Sequence, residues 1–188
     1  MSKQAGKYAL FEFERRFLVA RVPEGVTEGR GWSISDRYIK NTRLRLRRME
    51  PIHGGDTIFK LGNKDVPVPP DFSRMTITNI YLSPTEYAVL SELEAHELHK
   101  VRHALEYDGR IFSVDVFDVH LTGLVLAELS FESADEMDQK IDLPPWIGNE
   151  VSNDIRFTGG ALASLTADQA AKLTSEIVSA AEPCGRFP

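Results

Sequence analysis

Charged and apolar residues alternate along several short runs of this chain, and the alternation restricts its fold more than any other feature. The clearest run is Arg43-Leu44-Arg45-Leu46-Arg47, in which every second residue is basic. Residues two apart share a face of a β-strand. Three guanidinium groups would therefore project from one side of this strand, while its leucines anchor the other side.

A second alternating run, Tyr8–Val19, carries acids on its polar face. Glu12, Glu14 and Arg16 share that face, whereas the opposite face is rich in phenylalanine. Such an aromatic face packs against other parts of a protein. The charged face then looks either at bulk water or into a polar interior.

The same periodicity, with turn residues between the runs, predicts eight strands. They are Tyr8–Val19, Asp36–Ile39, Arg43–Glu50, Asp56–Leu61, Met75–Leu82, Val101–Tyr107, Arg110–Phe117 and Leu124–Phe131. Asp108-Gly109 predicts a hairpin between two of them. Gly54-Gly55 and Gly62-Asn63 predict further turns, and the proline-rich stretch 65–71 predicts an exposed loop.

Two helices are expected beside the strands. Ser83-Pro84-Thr85-Glu86 is a capping box that opens a helix to about Leu98, and Thr166 opens a second helix that ends near Ala181. Eight antiparallel strands with a few helices predict an α+β fold, in which the strands close into an eight-stranded antiparallel β-barrel with flanking helices.

Length and composition limit the function classes. A chain of 188 residues fits one domain spanning 1–188. Its single cysteine, Cys184, cannot form an internal disulfide, and no apolar segment suits a signal peptide or a membrane span, so we expect a cytoplasmic protein. A net charge of −6 makes nucleic acid an improbable partner.

The bases nevertheless recur at alternating strand positions inside an acidic protein. Lys60, Lys100 and Arg102 continue the pattern of the arginine run, and Asp115 and Glu128 interrupt two otherwise apolar runs. For any one strand, a solvent-facing polar side is the simpler interpretation. Repetition over many strands favours a shared interior, and like charges on neighbouring strands repel unless an anion lies between them. A polyphosphate fits that requirement, because an arginine fork holds two phosphate oxygens at once.

The neighbouring carboxylates Glu12 and Glu14 suggest a different task. Carboxylate oxygens are hard donors that suit Mg²⁺ or Mn²⁺, which commonly uses one or two carboxylates plus phosphate oxygens. Taken alone, Glu-x-Glu is a weak motif.

In sequence order, these segments resemble the CYTH, or triphosphate tunnel metalloenzyme, family from about residue 8 to 165. The resembling segments are Glu12-Phe13-Glu14-Arg15-Arg16-Phe17-Leu18-Val19, Arg43-Leu44-Arg45, Phe59-Lys60-Leu61-Gly62, Lys100-Val101-Arg102, Val114-Asp115-Val116-Phe117-Asp118, Gly123-Leu124-Val125-Leu126-Ala127-Glu128 and Pro145-Trp146-Ile147-Gly148. The ordered set is much more specific than any of its members.

The resemblance implies a barrel whose lumen binds a triphosphate with a metal ion. It assigns substrate binding to the basic residues Arg43, Arg45, Lys60, Lys100 and Arg102. It assigns catalysis to Glu12, Glu14 and Arg16, and Mg²⁺ or Mn²⁺ binding to Glu12, Glu14 and Glu128, with Asp115 and Glu132 in support. The implied function is metal-dependent hydrolysis of inorganic, thiamine or nucleoside triphosphate.

Three departures from the family pattern keep other functions open. Arg16 stands where lysine is usual, Thr76 and Thr78 where relatives often have Glu-x-Glu, and Ser130 where a second glutamate is common. The alternatives are a catalytically weak nucleotide- or polyphosphate-binding module and an adenylate cyclase of the same fold. The sequence leaves the oligomeric state open, with a homodimer among the alternatives.

Overall fold

The computed structural model describes residues 7–19, 21–24, 26, 31–66 and 70–181, and its strands join in one continuous sheet. The strands are β1 Leu10–Val19, β2 Gly31–Ile39, β3 Leu44–Pro51, β4 Ile58–Asp65, β5 Arg74–Leu82, β6 Ala95–Tyr107, β7 Arg110–Phe117, β8 Val125–Phe131 and β9 Ile147–Glu150. The helices are α1 Pro84–Ser91, α2 Ala134–Met137, α3 Gly159–Ala163 and α4 Ala167–Ala181, with 3-10 turns at Val119–Leu121 and Ile155–Phe157. No helix in these ranges is long and apolar enough to cross a membrane.

The sheet closes into an antiparallel barrel. Its strand order is β5-β4-β3-β2-β6-β7-β8-β1, and a further pairing of β1 with β5 joins the two ends. The short strand β9 adds to β1 outside this ring. The predicted eight-stranded antiparallel barrel with flanking helices is therefore confirmed.

Strand β1 holds the closure because one of its edges is shared between two partners. Its first residues, Leu10 to Phe13, pair with β5, whereas Phe17 and Val19 pair with β9. Between these partners, the backbone N–H of Arg16 donates to Ser152 Oγ at 3.0 Å. The opposite edge pairs with β8. Strand β1 thus pairs with strands that come much later in the sequence, β5, β8 and β9.

The hairpin between β6 and β7 forms where Asp108-Gly109 predicted it. Both residues have positive φ, 50° and 71°, as a type I′ turn requires. Gly54 and Gly55 also have positive φ and form the predicted turn after β3. Of the proline-rich loop, residues 67–69 lie outside the described residues, as does Cys184.

The predicted end of the first helix and the predicted turn at Gly62-Asn63 were wrong, and two strands begin several residues earlier than predicted, β2 at Gly31 and β6 at Ala95. The first helix ends at Ser91, and Leu98 belongs instead to β6, where it pairs with Asp36. Helix α1 buries none of its side chains, so further turns would gain no packing, whereas Leu98 is only 1% exposed in the barrel. Gly62-Asn63 is not a turn, because β4 continues through it to Asp65 and pairs with β5.

Apolar residues form two separate cores around the barrel. One covers the outer face of β1, β7 and β8 and includes Phe17, Phe112, Val114, Ala127, Leu129 and Met137. The other packs α3, α4 and both 3-10 turns against one end of the barrel, with Leu98, Phe117, Leu121, Leu126, Phe157 and Leu162. The remaining interior is left to polar side chains.

Candidate functional site

The barrel contains a cavity of about 450 Å³ into which its strands direct charged side chains. Alternation along each strand sends every second residue inward. The charged residues lining the cavity are Glu12, Glu14, Arg16, Arg43, Arg45, Arg47, Lys60, Lys64, Lys100, Arg102 and Glu128. The structure therefore brings together every residue predicted for catalysis, substrate binding or primary metal binding.

One side of the cavity is a closed network of ion pairs, here called the paired wall. It comprises Glu14 and Arg16 on β1, Lys100 and Arg102 on β6, Asp115 on β7 and Glu128 on β8. Arg102 donates bidentately to Asp115, with both nitrogen–oxygen distances 2.7 Å. Lys100 also donates to Asp115, and Arg102 reaches Glu128. Asp115 is only 1% exposed, so its charge depends on these two bases.

Arg16 ties the paired wall to the 3-10 turn at Ile155–Phe157. Its Nε donates to Glu128 at 3.0 Å and its Nη2 to Glu14 at 2.7 Å. Its Nη1 donates to the carbonyl of Phe157 at 3.2 Å. All three guanidinium nitrogens therefore have acceptors, and these ion pairs hold the pKa of Arg16 above its ordinary value despite burial. Arg16 thus orients carboxylates and cannot serve as a base.

The two buried glutamates of this wall differ in pKa. Burial raises the pKa of Glu14, and repulsion from Glu128 adds to that rise. Burial also opposes the ionisation of Glu128, but Arg102 and Arg16 outweigh it and hold its pKa well below the ordinary value. Glu14 is consequently the carboxylate of this wall that a further cation would stabilise most.

The opposite side of the cavity, here called the basic wall, has more bases than acids. It comprises Arg43, Arg45, Arg47, Lys60 and Lys64 on and beside β3 and β4. Arg47 pairs bidentately with Asp36 of β2, at 2.6 Å for both contacts. Arg45 Nε lies 3.7 Å from the same carboxylate and has no hydrogen-bond partner of its own. Arg43, 56% exposed at the rim, pairs with Asp65.

Lys60 is the base of this wall with the least compensation. It makes no ion pair within the described ranges, and its ammonium lies 5.4 Å from the Tyr81 ring centre. Burial lowers the pKa of Lys60, and the nearby charges of Arg47 and Arg45 lower it further. An anion placed among these bases would relieve their mutual repulsion.

Gly62 brings the bases of the basic wall close together. A Cβ at this position would lie 2.9 Å from Asn79 Oδ1 and 3.5 Å from Arg45 Nη2. Because Gly62 has no side chain, the Arg45 guanidinium can cross the inner face of β4 between Lys60 and Lys64. The three bases therefore form a row along this strand.

Two charged residues of the interior were missed from the sequence. Asp36 was placed at the start of a predicted strand and given no role, although Ile34, Asp36 and Tyr38 alternate on one face of β2. Lys64 was missed because Gly62-Asn63 was interpreted as a turn, which ended the predicted strand. Extending the alternation from Lys60 by four residues would have found it.

Three residues singled out from the sequence have other positions than predicted. The inward residues of β5 are Met75, Ile77 and Asn79, so Thr76 and Thr78 lie on the outer face and replace no lumen carboxylate. Glu132 follows the end of β8, is exposed, and lies outside the cavity lining, with its backbone N–H bound to Glu136. This position is outside the lumen, and the supporting role of Glu132 stays a prediction.

The carboxylates fit a metal ion only with help from another ligand. Within the described residues, no group of three or more His, Cys, Asp or Glu side chains is arranged to hold an ion alone. Glu128 is engaged by two bases, Arg16 and Arg102, whereas Glu12 and Glu14 each contact one. Glu12 and the electrostatically destabilised Glu14 remain, and two carboxylates with phosphate oxygens and water are a usual Mg²⁺ donor set. The residues therefore fit an ion that binds together with a phosphate compound.

An inorganic triphosphatase from Nitrosomonas europaea is 32% identical to this chain over 158 residues, which cover 81% of this chain and 96% of the relative. The chain belongs to the CYTH, or triphosphate tunnel, family. No protein-family model matches it.

Solved structures agree with membership of the triphosphate tunnel family. The crystal structure of an inorganic triphosphatase has a TM-score of 0.56 at 30% identity and covers 82% of this chain and 95% of that chain. The match with a second crystal structure, of a hypothetical protein, has the same TM-score and covers 99% of that chain. The resemblance inferred from ordered motifs is confirmed.

Proposed function

We propose that this protein hydrolyses a small triphosphate compound, with inorganic triphosphate as the preferred substrate, in a reaction that requires Mg²⁺ or Mn²⁺. The observation that carries the proposal is the meeting of the basic wall with Glu12 and Glu14 in one cavity of about 450 Å³. The named activity of the relative from Nitrosomonas europaea supports the choice of inorganic triphosphate.

The basic wall would bind the phosphate chain. Lys60 and Arg45 carry charges that no nearby carboxylate fully neutralises. Phosphate oxygens would therefore replace repulsion between bases with charge-assisted hydrogen bonds, each contributing about 1.5–3 kcal/mol. Arg47 is held by Asp36 and contributes positive potential without leaving its partner.

Glu12 and Glu14 would hold the metal ion, with the triphosphate completing its ligand set. The ion would neutralise phosphate charge and lower the pKa of a coordinated water. Arg16 would keep Glu14 turned toward the lumen through the 2.7 Å contact. Since Arg16 stays protonated, its contribution to hydrolysis would be orientation and positive potential.

A catalytically weak binding module is the second candidate, and the state of Arg16 favours it. All three of its guanidinium nitrogens are committed to protein acceptors. A lysine at this position, as is usual in the family, would have a proton to exchange, whereas arginine does not. Under this alternative the lumen would retain triphosphate without turnover.

A phosphate-release panel separates the two functions. The purified protein would be incubated with tripolyphosphate, thiamine triphosphate or ATP, each with Mg²⁺, Mn²⁺ or EDTA. We expect metal-dependent release, fastest with tripolyphosphate, and abolition of that release in the Glu12→Gln/Glu14→Gln double variant, whose fold is checked by circular dichroism. Tripolyphosphate binding with no release under any metal condition would establish the binding module instead.

A further inference from the structure

Lys64 and Glu12 form an ion pair between the two sides of the lumen. The Lys64 ammonium contacts Glu12 Oε2, and the side chains are 29% and 25% exposed. Lys64 makes no other hydrogen bond or ion pair within the described parts of the chain. Lys64 is thus the base of the β4 row that lies nearest the carboxylates, and it neutralises Glu12, a proposed metal ligand.

The charge of Lys64 acts on more than its contact partner. It also opposes the rise in the pKa of Glu14 caused by burial and by Glu128. If Lys64 turned away, Glu12 and Glu14 would be left with less compensation, and only another cation would restore it. A divalent cation at these carboxylates and the Lys64 ammonium therefore compete for one electrostatic role.

The neighbouring pair of Arg16 with Glu14 does not permit the same exchange. Arg16 is bound by three acceptors and its side chain is 8% exposed. Lys64, in contrast, has a flexible stem, one partner and access to solvent. It also lies in the row with Lys60 and Arg45, beside the space in which a phosphate chain would lie.

We propose that Lys64 exchanges partners: its ammonium neutralises Glu12 in the resting protein and moves to a phosphate oxygen when a divalent cation binds Glu12. The exchange rests on the proposed function, since it requires both a metal ion and a triphosphate. It adds a coupling that the proposed function does not contain. Each ligand breaks the Lys64–Glu12 pair, so whichever binds second no longer has to break it.

Coupling of this kind is reciprocal. The factor by which tripolyphosphate tightens Mn²⁺ binding must equal the factor by which Mn²⁺ tightens tripolyphosphate binding. Direct contact between ion and phosphate contributes to this factor in any case. The part due to Lys64 is the part that disappears when the Lys64–Glu12 pair is removed.

The test measures Mn²⁺ and tripolyphosphate binding by titration calorimetry, with electron paramagnetic resonance as a second readout of free Mn²⁺. In Lys64→Met we expect Mn²⁺ alone to bind about two- to fivefold more tightly, the range of a partly exposed ion pair. We expect tripolyphosphate alone to bind about tenfold more weakly. The coupling factor should fall by about the same two- to fivefold.

Lys60→Met is the matched control, because Lys60 lies on the same face of β4 but contacts no carboxylate among the described residues. It should weaken tripolyphosphate binding similarly while changing Mn²⁺ affinity by less than twofold and leaving the coupling factor unchanged. Lys64→Arg, which keeps the cation, should restore the wild-type Mn²⁺ affinity. Calorimetry is interpreted for variants whose thermal unfolding remains cooperative, and Lys64→Gln replaces Lys64→Met if that variant does not fold.

Equal or weaker Mn²⁺ binding in Lys64→Met than in Lys60→Met would overturn the exchange. Failure of the proposed function looks different: Mn²⁺ would bind neither wild type nor variants, with or without tripolyphosphate. Tight, coupled binding of both ligands with no phosphate release would retain the exchange while removing the catalytic activity.

Discussion

The paired wall and the basic wall contain the same kinds of side chains but differ in how completely their charges are neutralised. In the paired wall, Arg16 and Arg102 each contact two carboxylates, and Asp115 receives two bases. In the basic wall, Asp36 is shared by Arg45 and Arg47. One side of the lumen is thus internally satisfied, and the other retains positive potential for an external anion.

This difference separates stability from binding within one cavity. A buried ion pair that loses one partner leaves an uncompensated charge, so the paired wall should respond to substitution with a loss of stability. A base whose charge is not fully neutralised is repelled by neighbouring bases in the ligand-free protein. Removal of such a base should therefore mainly weaken ligand binding. Lys100 and Arg102, predicted as substrate-binding residues, line the cavity but are committed to Asp115.

The largest expected effect is the loss of stability on removing Asp115. Asp115→Asn should lower the free energy of unfolding by about 3–5 kcal/mol, because it leaves Lys100 and Arg102 buried with weakened compensation. Urea denaturation measures the loss. Glu150→Gln, which removes the partner of Arg15 outside the barrel at 40% side-chain exposure, is the control and should cost less than about 1 kcal/mol. Similar small losses in both variants would remove the distinction between the walls.

Next in size is the loss of tripolyphosphate affinity in the basic wall. Arg45→Ala or Lys60→Ala should weaken binding by about 1.5–3 kcal/mol, the contribution of a charge-assisted hydrogen bond. Urea denaturation of the same variants should show little change, or a gain in stability as repulsion falls. Unchanged affinity by titration calorimetry would mean that these bases do not contact the ligand.

A fall in pH should destabilise the protein through Asp36, a buried carboxylate on β2. Burial opposes the ionisation of Asp36, but Arg47 and Arg45 outweigh it and hold its pKa well below the ordinary 3.8. Below that ordinary value the Asp36 carboxylate binds a proton in the unfolded chain but stays ionised in the folded protein. The free energy of unfolding therefore decreases as pH falls. Between pH 7 and pH 2.5 we expect this group to lower the free energy of unfolding by up to about 2 kcal/mol. Thermal melts from pH 7 to 2.5 should show a shallower acid-side decrease for Asp36→Asn than for wild type.

Arg16→Lys should destabilise the protein less than Asp115→Asn. A lysine ammonium cannot span Glu14, Glu128 and the Phe157 carbonyl as the guanidinium fork does, and we expect a loss of about 1–2 kcal/mol. If a lysine at this position served as a base, Arg16→Lys would raise kcat and shift its pH dependence toward alkaline values. The structure favours an orienting role, for which kcat would not rise. A pH–rate profile of both forms decides between the two predictions.

The barrel was predictable because its signal is local and repeated. Alternation in Arg43–Arg47 and Glu12–Arg16 fixed which side chains point inward, and type I′ chemistry fixed the Asp108-Gly109 turn. Alternation also identified most of the charged residues of the cavity lining without any knowledge of strand order.

Partner choice was not predictable, because it depends on which strands become neighbours. Asp36 meets Arg47 only because β2 pairs with β3 in a particular register, and Glu128 meets Arg16 because β8 lies beside β1. Gly62 misled the interpretation, since its lack of a side chain serves close packing against Arg45 and Asn79 in a strand. Local sequence does not distinguish that role from a turn.

The divided edge of β1 has a consequence for how the chain acquires its fold during synthesis. Strand β1 is synthesised before the other described strands, yet its partners are β5, β8 and β9. The backbone N–H of Arg16 in β1 donates to Ser152 Oγ, which is synthesised later still. Neighbouring hairpins such as β6–β7 can form as soon as they emerge, but the ring cannot close until β8, which ends at Phe131, is available. Closure therefore follows the synthesis of all the other ring strands, and the contacts that complete it span the greatest sequence separations in the barrel. The strand that is made first is the last to be fully paired.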